Sequence, residues 1–406
     1  MKTVVLISSG QPSVNPRLVK EANSLVEAGY KVYVIYSFWT NWAWATDKIL
    51  FEQVSWTPIL VGGSPYERKI LYYCTRVRFK MMNFIAKKIT LKFGIAELAK
   101  GRASKELFSK AKSINASIYI AHNLAALPVA VKAAKHNNAK CGFDIEDFHR
   151  NEASDMITDF SYRISKFLED KYLRECDYLT AASPLIADEY NKIYSLQNLT
   201  VINNVFAASI QETPISKNNI PLKLFWFSQT VGIERGIEDV ILALNLLDNE
   251  HIELHLLGQT TQNTENYFRN MVTFKAQNLN FHPPIEPDQI FEFSTQFNIG
   301  LALELNRPYN RVICLTNKIF SYMVSGLAVI ASETKAQKAF LEENIGIGYT
   351  YPNGDINKLA EKIDSFYLNR ALLDSCMSNS FHLGRTKYNW ENESKSFLQI
   401  ISQIIK

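Results

Sequence analysis

Residues 317–332 read NKIFSYMVSGLAVIAS, a short amphipathic stretch, one glycine, and then a short apolar run. Ile319, Phe320, Met323 and Leu327 fall near helical spacing, and Thr316 stands at the N-cap position. Gly326 is a helix stop, and Leu327 to Ala331 has the character of a strand buried on both faces. The stretch therefore predicts a loop, a helix and a parallel strand in immediate succession. Asn317 and Lys318 open that helix. A helix start carries roughly +0.5 charge and unpaired N–H groups, so it suits a phosphate. A solvated lysine on an ordinary αβ unit is the competing reading of the same residues.

The same alternation runs through the chain. Thr3 to Ser9 reads as a strand, Gly10, Gln11 and Pro12 as a loop, Pro16 to Ala28 as a helix stopped by Gly29, and Lys31 to Ser37 as a second strand. That is a βαβ unit without the G-x-G-x-x-G spacing, so no dinucleotide fingerprint is present and a nicotinamide dehydrogenase is disfavoured. Gly10 allows close approach of the backbone to a ligand, or serves a plain turn. Trp39 to Trp56 reads as irregular, followed by a strand at Thr57. Strands are expected at 117–121, 140–144, 177–183 and 200–203, with helices between them. Residues 207–221 carry Pro214 and Pro221 and read as a linker. A second alternation follows: strands at 222–228, 252–258, near Phe281 and at 298–303, helices at 235–247, 263–277 and 287–294, and helices again from Asp355.

With 406 residues, 47% hydrophobic and 21% charged, the chain suits two globular domains. A net charge of +4 does not demand a nucleic-acid partner. Cys74, Cys141, Cys176, Cys314 and Cys376 are odd in number and lack paired metal spacing, which suits a reduced, cytoplasmic protein. The opening TVVLISS reads as a strand rather than a signal peptide, and no apolar run reaches the roughly 18–20 residues of a spanning helix. One block is asymmetric. From Arg68 to Lys112 there are thirteen lysines and arginines against Glu97 and Glu106. Phe79, Phe84 and Phe93 are interleaved with them, so the block is either a solvated face over a core or a surface for anionic lipid headgroups.

NKIFSYMVSGLAVIAS, VGIERGIEDVILAL at 231–244 and the opening ISSGQPSVNPRLVKEANSLVEAGYKVYVIY together resemble the GT-B glycosyltransferases of the retaining family 4 type. The resemblance spans nearly the whole chain. It implies an α/β fold of two doubly wound, Rossmann-like domains facing a central cleft. Residues 1–207, with a returning C-terminal helix at 387–406, would form the acceptor-side domain, and 208–386 the nucleotide-sugar donor domain. It also implies donor-binding roles for Gly10, Gln229, Arg235, Glu304, Arg311, Asn317, Lys318 and Ser321. Relatives hold the diphosphate with an arginine and a lysine, whose places are taken here by Gln229 and Arg235; Lys318 or Arg311 would supply the missing cation. Relatives also show two glutamates whose places fall on Ile313 and Ser321. After the strand at 140–144, relatives present D-x-H-[DE]; this chain reads Asp144, Ile145, Glu146, Asp147, with His149 beyond. The catalytic candidates are thus Glu146 or His149, with Asp147, whose alternative is helix capping.

The implied activity is transfer of a sugar from a nucleotide-diphosphate sugar to a glycan or polyprenyl-linked acceptor, in surface polysaccharide or glycoconjugate biosynthesis. No metal or other cofactor is expected: Asp144-Ile145-Glu146 has D-x-D spacing but lies in the acceptor-side half. The expected location is cytoplasmic, with the Arg68 to Lys112 block against the inner face of a membrane. Two other classes remain open. An epimerase of the same fold would carry more carboxylates near the phosphate site, and a non-catalytic sugar-nucleotide or glycan binder is favoured by the missing glutamates.

Overall fold

Runs rich in valine, isoleucine and leucine form strands buried on both faces, and each is followed by a crossover that returns the chain in the same direction. In the computed structural model, which describes residues 1–208, 221–286 and 289–406, these strands make two sheets. The first holds β1 (Thr3–Ser8), β2 (Lys31–Ser37), β3 (Thr57–Val61), β4 (Ile118–His122), β5 (Lys140–Ile145), β6 (Tyr178–Ala181) and β7 (Leu199–Val201). Its order is β3-β2-β1-β4-β5-β6-β7. The second holds β8 (Leu222–Thr230), β9 (Ile252–Gln259), β10 (Leu279–His282), β11 (Ile299–Ala302), β12 (Ala328–Ser332) and β13 (Gly348–Tyr351), in the order β10-β9-β8-β11-β12-β13. Every pairing in both sheets is parallel.

The chain divides into two compact units. The first comprises Met1–Asn203, Pro308–Asn310 and Ser394–Lys406, and the second Asn204–Arg307 and Arg311–Glu393. The returning segment thus begins inside the last helix, Trp390–Ile404, and Lys2 Nζ donates to the Ile405 carbonyl. Most of the expected linker, residues 209–220, lies outside the described residues, as do 287 and 288 at the start of the helix expected at 287–294.

Three expectations need correction. Trp39 to Trp56 is not irregular, since it contains the helix Ala43–Gln53. That helix buries little beyond Ala43 and Asp47, so it shows no apolar stripe to read. It is anchored instead by the Asp47 carboxylate, which accepts from Gln11 Nε2 at 2.9 Å and Ser13 N at 3.0 Å. A helix at Lys335–Glu343, capped by Thr334, precedes β13 and was not expected. Thr316 stands at the N-cap of the helix Asn317–Val324, but its side chain caps nothing. The other end of that helix follows its sequence: Gly326, with φ of +70°, donates to the Met323 carbonyl while Leu327 N reaches the Tyr322 carbonyl. That pair of bonds is the Schellman arrangement, which sends the chain straight into β12.

Close packing of that helix on its sheet needs glycine at one further place. A Cβ on Gly300, in β11, would fall inside the Tyr322 ring. Tyr322 is fully buried and its hydroxyl donates to the Leu301 carbonyl at 3.0 Å, so it cannot swing away without losing that bond. Gly300→Ala should therefore destabilise the second unit by about 1–3 kcal/mol, as overpacking does, measured by urea denaturation. An unchanged midpoint would show that the helix can shift to make room.

Candidate functional site

In a doubly wound sheet, ligands bind beyond the carboxyl ends of the strands where the strand order reverses. The second unit reverses between β8 and β11, and the residues that follow those strands are the polar ones. Glu304, two residues beyond β11, is buried, yet its carboxylate meets two cations. Arg311 Nη1 lies 2.8 Å from Oε2 and Lys318 Nζ 3.4 Å from Oε1. The Glu304 backbone is fixed as well. Its N–H donates to Ser332 Oγ at 2.8 Å, and its carbonyl accepts from Ser332 Oγ at 2.7 Å and Asn353 Nδ2 at 2.6 Å. One carboxylate shared by two cations leaves one positive charge unbalanced. Lys318 also lies 5.9 Å from the centre of the Trp226 ring.

Arg235 belongs to the same rim. It precedes Gly236, whose φ of +79° turns the chain into the helix Ile237–Leu247. A Cβ on Gly236 would stand 3.1 Å from that of Leu303, so the loop lies against the segment leading to Glu304. Gly354 N donates to Asp239 Oδ2 at 3.2 Å, so the Asn353–Gly354 turn ties the start of that helix to the Glu304 loop. Among the described residues the Arg235 guanidinium meets no acid. Gln229 and Asn317 are exposed on the same rim. Ser321 is placed differently: it is buried, and its hydroxyl donates to the Asn317 carbonyl at 3.1 Å.

The first unit reverses between β1 and β4. Beyond β1 stands Gly10, whose backbone dihedrals are ordinary and which has room for a methyl group 4.0 Å from Ser8 Oγ, so the fold itself does not require glycine there. Beneath it lies a group of fully buried charges. Arg17 Nε stands 2.6 Å from Asp144 Oδ2 and 3.6 Å from Glu21 Oε1. His122, the last residue of β4, places Nε2 3.2 Å from Glu21 and Nδ1 3.5 Å from Asp144 and 3.7 Å from Glu146. Asn15 caps the helix Pro16–Glu27 with its oxygen, and its Nδ2 donates to Glu146 Oε1 at 2.6 Å. Burial raises the Asp144 carboxyl, but the Arg17 charge and the His122 hydrogen bond outweigh it and hold the group at about 2. Burial would also lower His122; the Glu21 charge and hydrogen bonds to Asp144 and Glu146 instead hold it well above its ordinary value.

His122, Asp144 and Glu146 bring ligand atoms within 4.8 Å of one another, which is a possible metal set. It suits a metal poorly. Arg17 already occupies the cation side of Asp144, and the acids on both sides of His122 favour a proton on each ring nitrogen, which leaves no lone pair for a metal.

The loop after β5 carries the other candidates. Glu146 reaches solvent, with its side chain 25% exposed, whereas that of His149 is 4% exposed. His149 lies over Phe143 and places Nδ1 3.1 Å from Glu152. Asp147 caps no helix; its Oδ1 accepts from Asn310 Nδ2 at 2.7 Å, while Asn310 Oδ1 accepts from Phe148 N at 2.7 Å. Burial, with Glu152 adding, pushes the Asp147 carboxyl up to about 6.

No known family profile matches this chain, and no curated protein sequence matches it. Solved structures do. Sucrose-phosphate synthase from Thermosynechococcus elongatus superimposes with a TM-score of 0.72 over 99% of each chain, at 13% identity. Anabaena HepE, solved with UDP and glucose, gives 0.71 over 99% of this chain and all of its own, at 14% identity. A variant of S. aureus TarM, solved with UDP, fondaparinux and α-GlcNAc-glycerol, gives 0.68 over 98% of this chain and 99% of its own, at 12% identity.

The fold is GT-B.

Within this GT-B chain, Gln229, Arg235, Glu304, Arg311, Asn317 and Lys318 gather at the second unit's reversal, and Glu146 and Asp147 follow β5 in the first. Ser321 and His149 point into packed interior. The sequence reading missed Arg17, Glu21, His122 and Asn310. Arg17 and Glu21 are four residues apart and one step from the apolar Leu18, Ala22 and Leu25, a signal that they share the buried face. Asn310 left no local signal.

Two outcomes follow from the buried charges of this GT-B unit. Arg17→Met leaves the buried Asp144 and Glu21 with only His122 to balance them, and should cost about 3–5 kcal/mol in urea unfolding; a loss under 1 kcal/mol would mean water reaches the cluster. Asp147 has a folded pKa above its unfolded value, so its contribution to stability is present in acid and is lost as pH rises from about 3.8 to about 6. Asp147→Asn keeps an acceptor for Asn310 and should therefore be more stable than wild type above pH 6, as read from melting temperatures across pH.

Proposed function

We propose that this chain transfers a hexosyl group from a nucleotide-diphosphate sugar to a glycan or polyprenyl-linked acceptor, with retention of configuration, in the assembly of a surface polysaccharide or glycoconjugate. The observation that carries the reading is the group of cations at the β8/β11 reversal, where Arg311 and Lys318 are held by the buried Glu304 and Arg235 meets no acid among the described residues. A departing nucleoside diphosphate gains negative charge as the glycosidic bond breaks, and cations fixed beforehand stabilise that charge without reorganising. HepE and TarM, proteins of the same fold, were solved with UDP, which supports a uridine nucleotide as the first ligand to try.

In this reading Arg235 and Lys318 bind the diphosphate, and Arg311 orients Glu304. Gln229 and the N–H groups at Asn317 add neutral donors. Gly10 leaves the end of β1 open. Glu146 addresses the reacting sugar, while Asp147 and His149 hold its loop in place. The reaction takes no metal, because the leaving charge is met by side-chain cations. One observation favours a binding module without turnover: Ser321 gives its hydroxyl to Asn317 rather than presenting it for a ribose.

Calorimetry with UDP, followed by measurement of UDP released from UDP-glucose with and without glycan acceptors, tests both readings. UDP should bind, and Arg235→Ala should weaken it roughly ten- to a hundredfold, matching about 1.5–3 kcal/mol for a charged hydrogen bond. Equal affinity in the variant would remove Arg235 from the site. Binding of UDP with no release from any nucleotide sugar would favour the binding module.

A further inference from the structure

The helix Lys69–Lys88 is twenty residues long, carries six lysines and arginines, and contains no acid. Its core-facing side is Tyr72, Thr75 and Ala86. The opposite side is apolar. Ile70 is 83% exposed, Val77 66% and Phe84 62%, with Tyr73 and Met81 between them, and Phe93 just beyond the helix is 92% exposed. At about 100° per residue, Ile70, Tyr73, Val77, Met81 and Phe84 fall within an arc of roughly 80°. Lys69, Arg76, Lys80 and Lys87 fall together along one flank of that arc. The side chains that could have served a core, such as Phe84 and Phe93, are therefore turned outward. Open grooves lie at both ends. One of about 610 Å³ is lined by Arg68, Lys69, Ile70 and Leu71. The other, of about 480 Å³, is lined by Leu91, Ile157, Tyr162, Arg163, Lys166, Phe167 and one acid, Asp170.

We propose that this face seats the protein on a membrane rich in anionic lipid, with the helix lying in the plane of the interface. An exposed apolar stripe of this length is unusual on a protein that meets only water. The basic flank decides its occupant. A second copy packed face to face would bring the same cations against themselves, with no acid on the helix to pair them. A peptide ligand calls for a groove along its length, whereas Tyr73, Val77, Met81 and Phe84 line neither groove and stand out from the crest of the helix. A bilayer surface is flat, apolar just below its headgroups, and negatively charged, and it meets each of those features. Among the described residues no helix is long and apolar enough to cross a membrane, so the contact is peripheral. The inference goes beyond the transfer reaction and does not depend on it.

The test is sedimentation of the whole chain with vesicles of phosphatidylcholine alone, or mixed with phosphatidylglycerol. Wild type should bind the anionic vesicles only, and release as salt shortens the screening length below ~10 Å. Lys69, Lys80 and Lys88 meet no partner among the described residues. Each contributes about fivefold near an anionic surface, so reversing all three to glutamate should weaken binding about a hundredfold or more. Val77→Gln with Phe84→Gln should also weaken it, at low and moderate salt alike. Both sets lie on exposed positions and should leave the melting temperature and UDP affinity at wild-type values. The proposal is overturned if wild type ignores anionic vesicles at low salt, if it binds neutral vesicles equally, or if either variant sediments as wild type does. It is also overturned if light scattering shows a dimer that Val77→Gln with Phe84→Gln dissolves. Vesicle binding without binding of UDP or any other nucleoside diphosphate would sustain this inference while rejecting the nucleotide-sugar reading.

Discussion

All strands of both sheets run parallel, and that single constraint places the chemistry. Parallel neighbours cannot be joined by a tight turn, so each connection crosses a face of the sheet and brings the chain back to the same starting edge. Every strand therefore ends at the opposite edge, and the polar residues that stop a strand collect there. Ser9, His122 and Glu146 lie far apart in sequence, yet they stand at the ends of β1, β4 and β5, which are adjacent in the sheet. In the same way Gln229 stands near the end of β8, and Glu304 lies two residues beyond β11. Where the order reverses, crossovers leave toward opposite faces and the edge between them stays open. Gly236 and Asn353–Gly354 then close the sides of that opening in the second unit by direct contact and hydrogen bond.

What such an edge can hold depends on how its charges are balanced. A unit pair at 4 Å interacts by about 4 kcal/mol at an effective dielectric constant of 20. Desolvation of a buried ion costs a comparable several kcal/mol. Around Asp144 the attraction wins: Arg17 and His122 meet Asp144, Glu21 and Glu146 at close range, and they hold the Asp144 carboxyl below its ordinary range despite its burial. The result is a braced junction between β4, β5 and the helix Pro16–Glu27, whose cations are already taken up by carboxylates. Around Glu304 the balance is deliberately incomplete in electrostatic terms. A single carboxylate restrains Arg311 and Lys318 but cannot neutralise both, so the geometry is fixed while positive potential remains for a ligand.

This division also explains what could be read from the sequence. The strands and the main helices were legible because burial on a fixed period leaves a pattern in consecutive residues. NKIFSYMVSGLAVIAS was legible down to the Gly326 stop, and Arg235 and Lys318 could be placed at the ends of elements. The helix Ala43–Gln53 was not, since its anchor is Asp47 accepting from Gln11 and Ser13 some thirty residues earlier. Asn310 was invisible for the same reason: its amide bonds to Asp147 and Phe148, more than a hundred and sixty residues away. Nor does local pattern show that the His149 side chain is buried while that of Glu146 reaches solvent: the imidazole lies against Phe143 and beside Glu152. Local pattern locates elements; it does not say which polar side chain is turned inward.

The basic residues of this protein show how dielectric surroundings sort one residue type into different tasks. Arg17 is sealed from water, where an unmatched charge would be severely penalised, and it is met by two carboxylates. Its role follows from that match: it holds structure and offers nothing to a ligand. Arg311 and Lys318 are half-sheltered and share one acid, so part of their charge is available at short range and in a fixed direction. Lys69, Lys80 and Lys88 stand in water on a helix without acids, where any single interaction is weak and screened. Only an extended surface that engages many such charges at once draws useful energy from them, and the apolar stripe beside them supplies the part that salt does not screen.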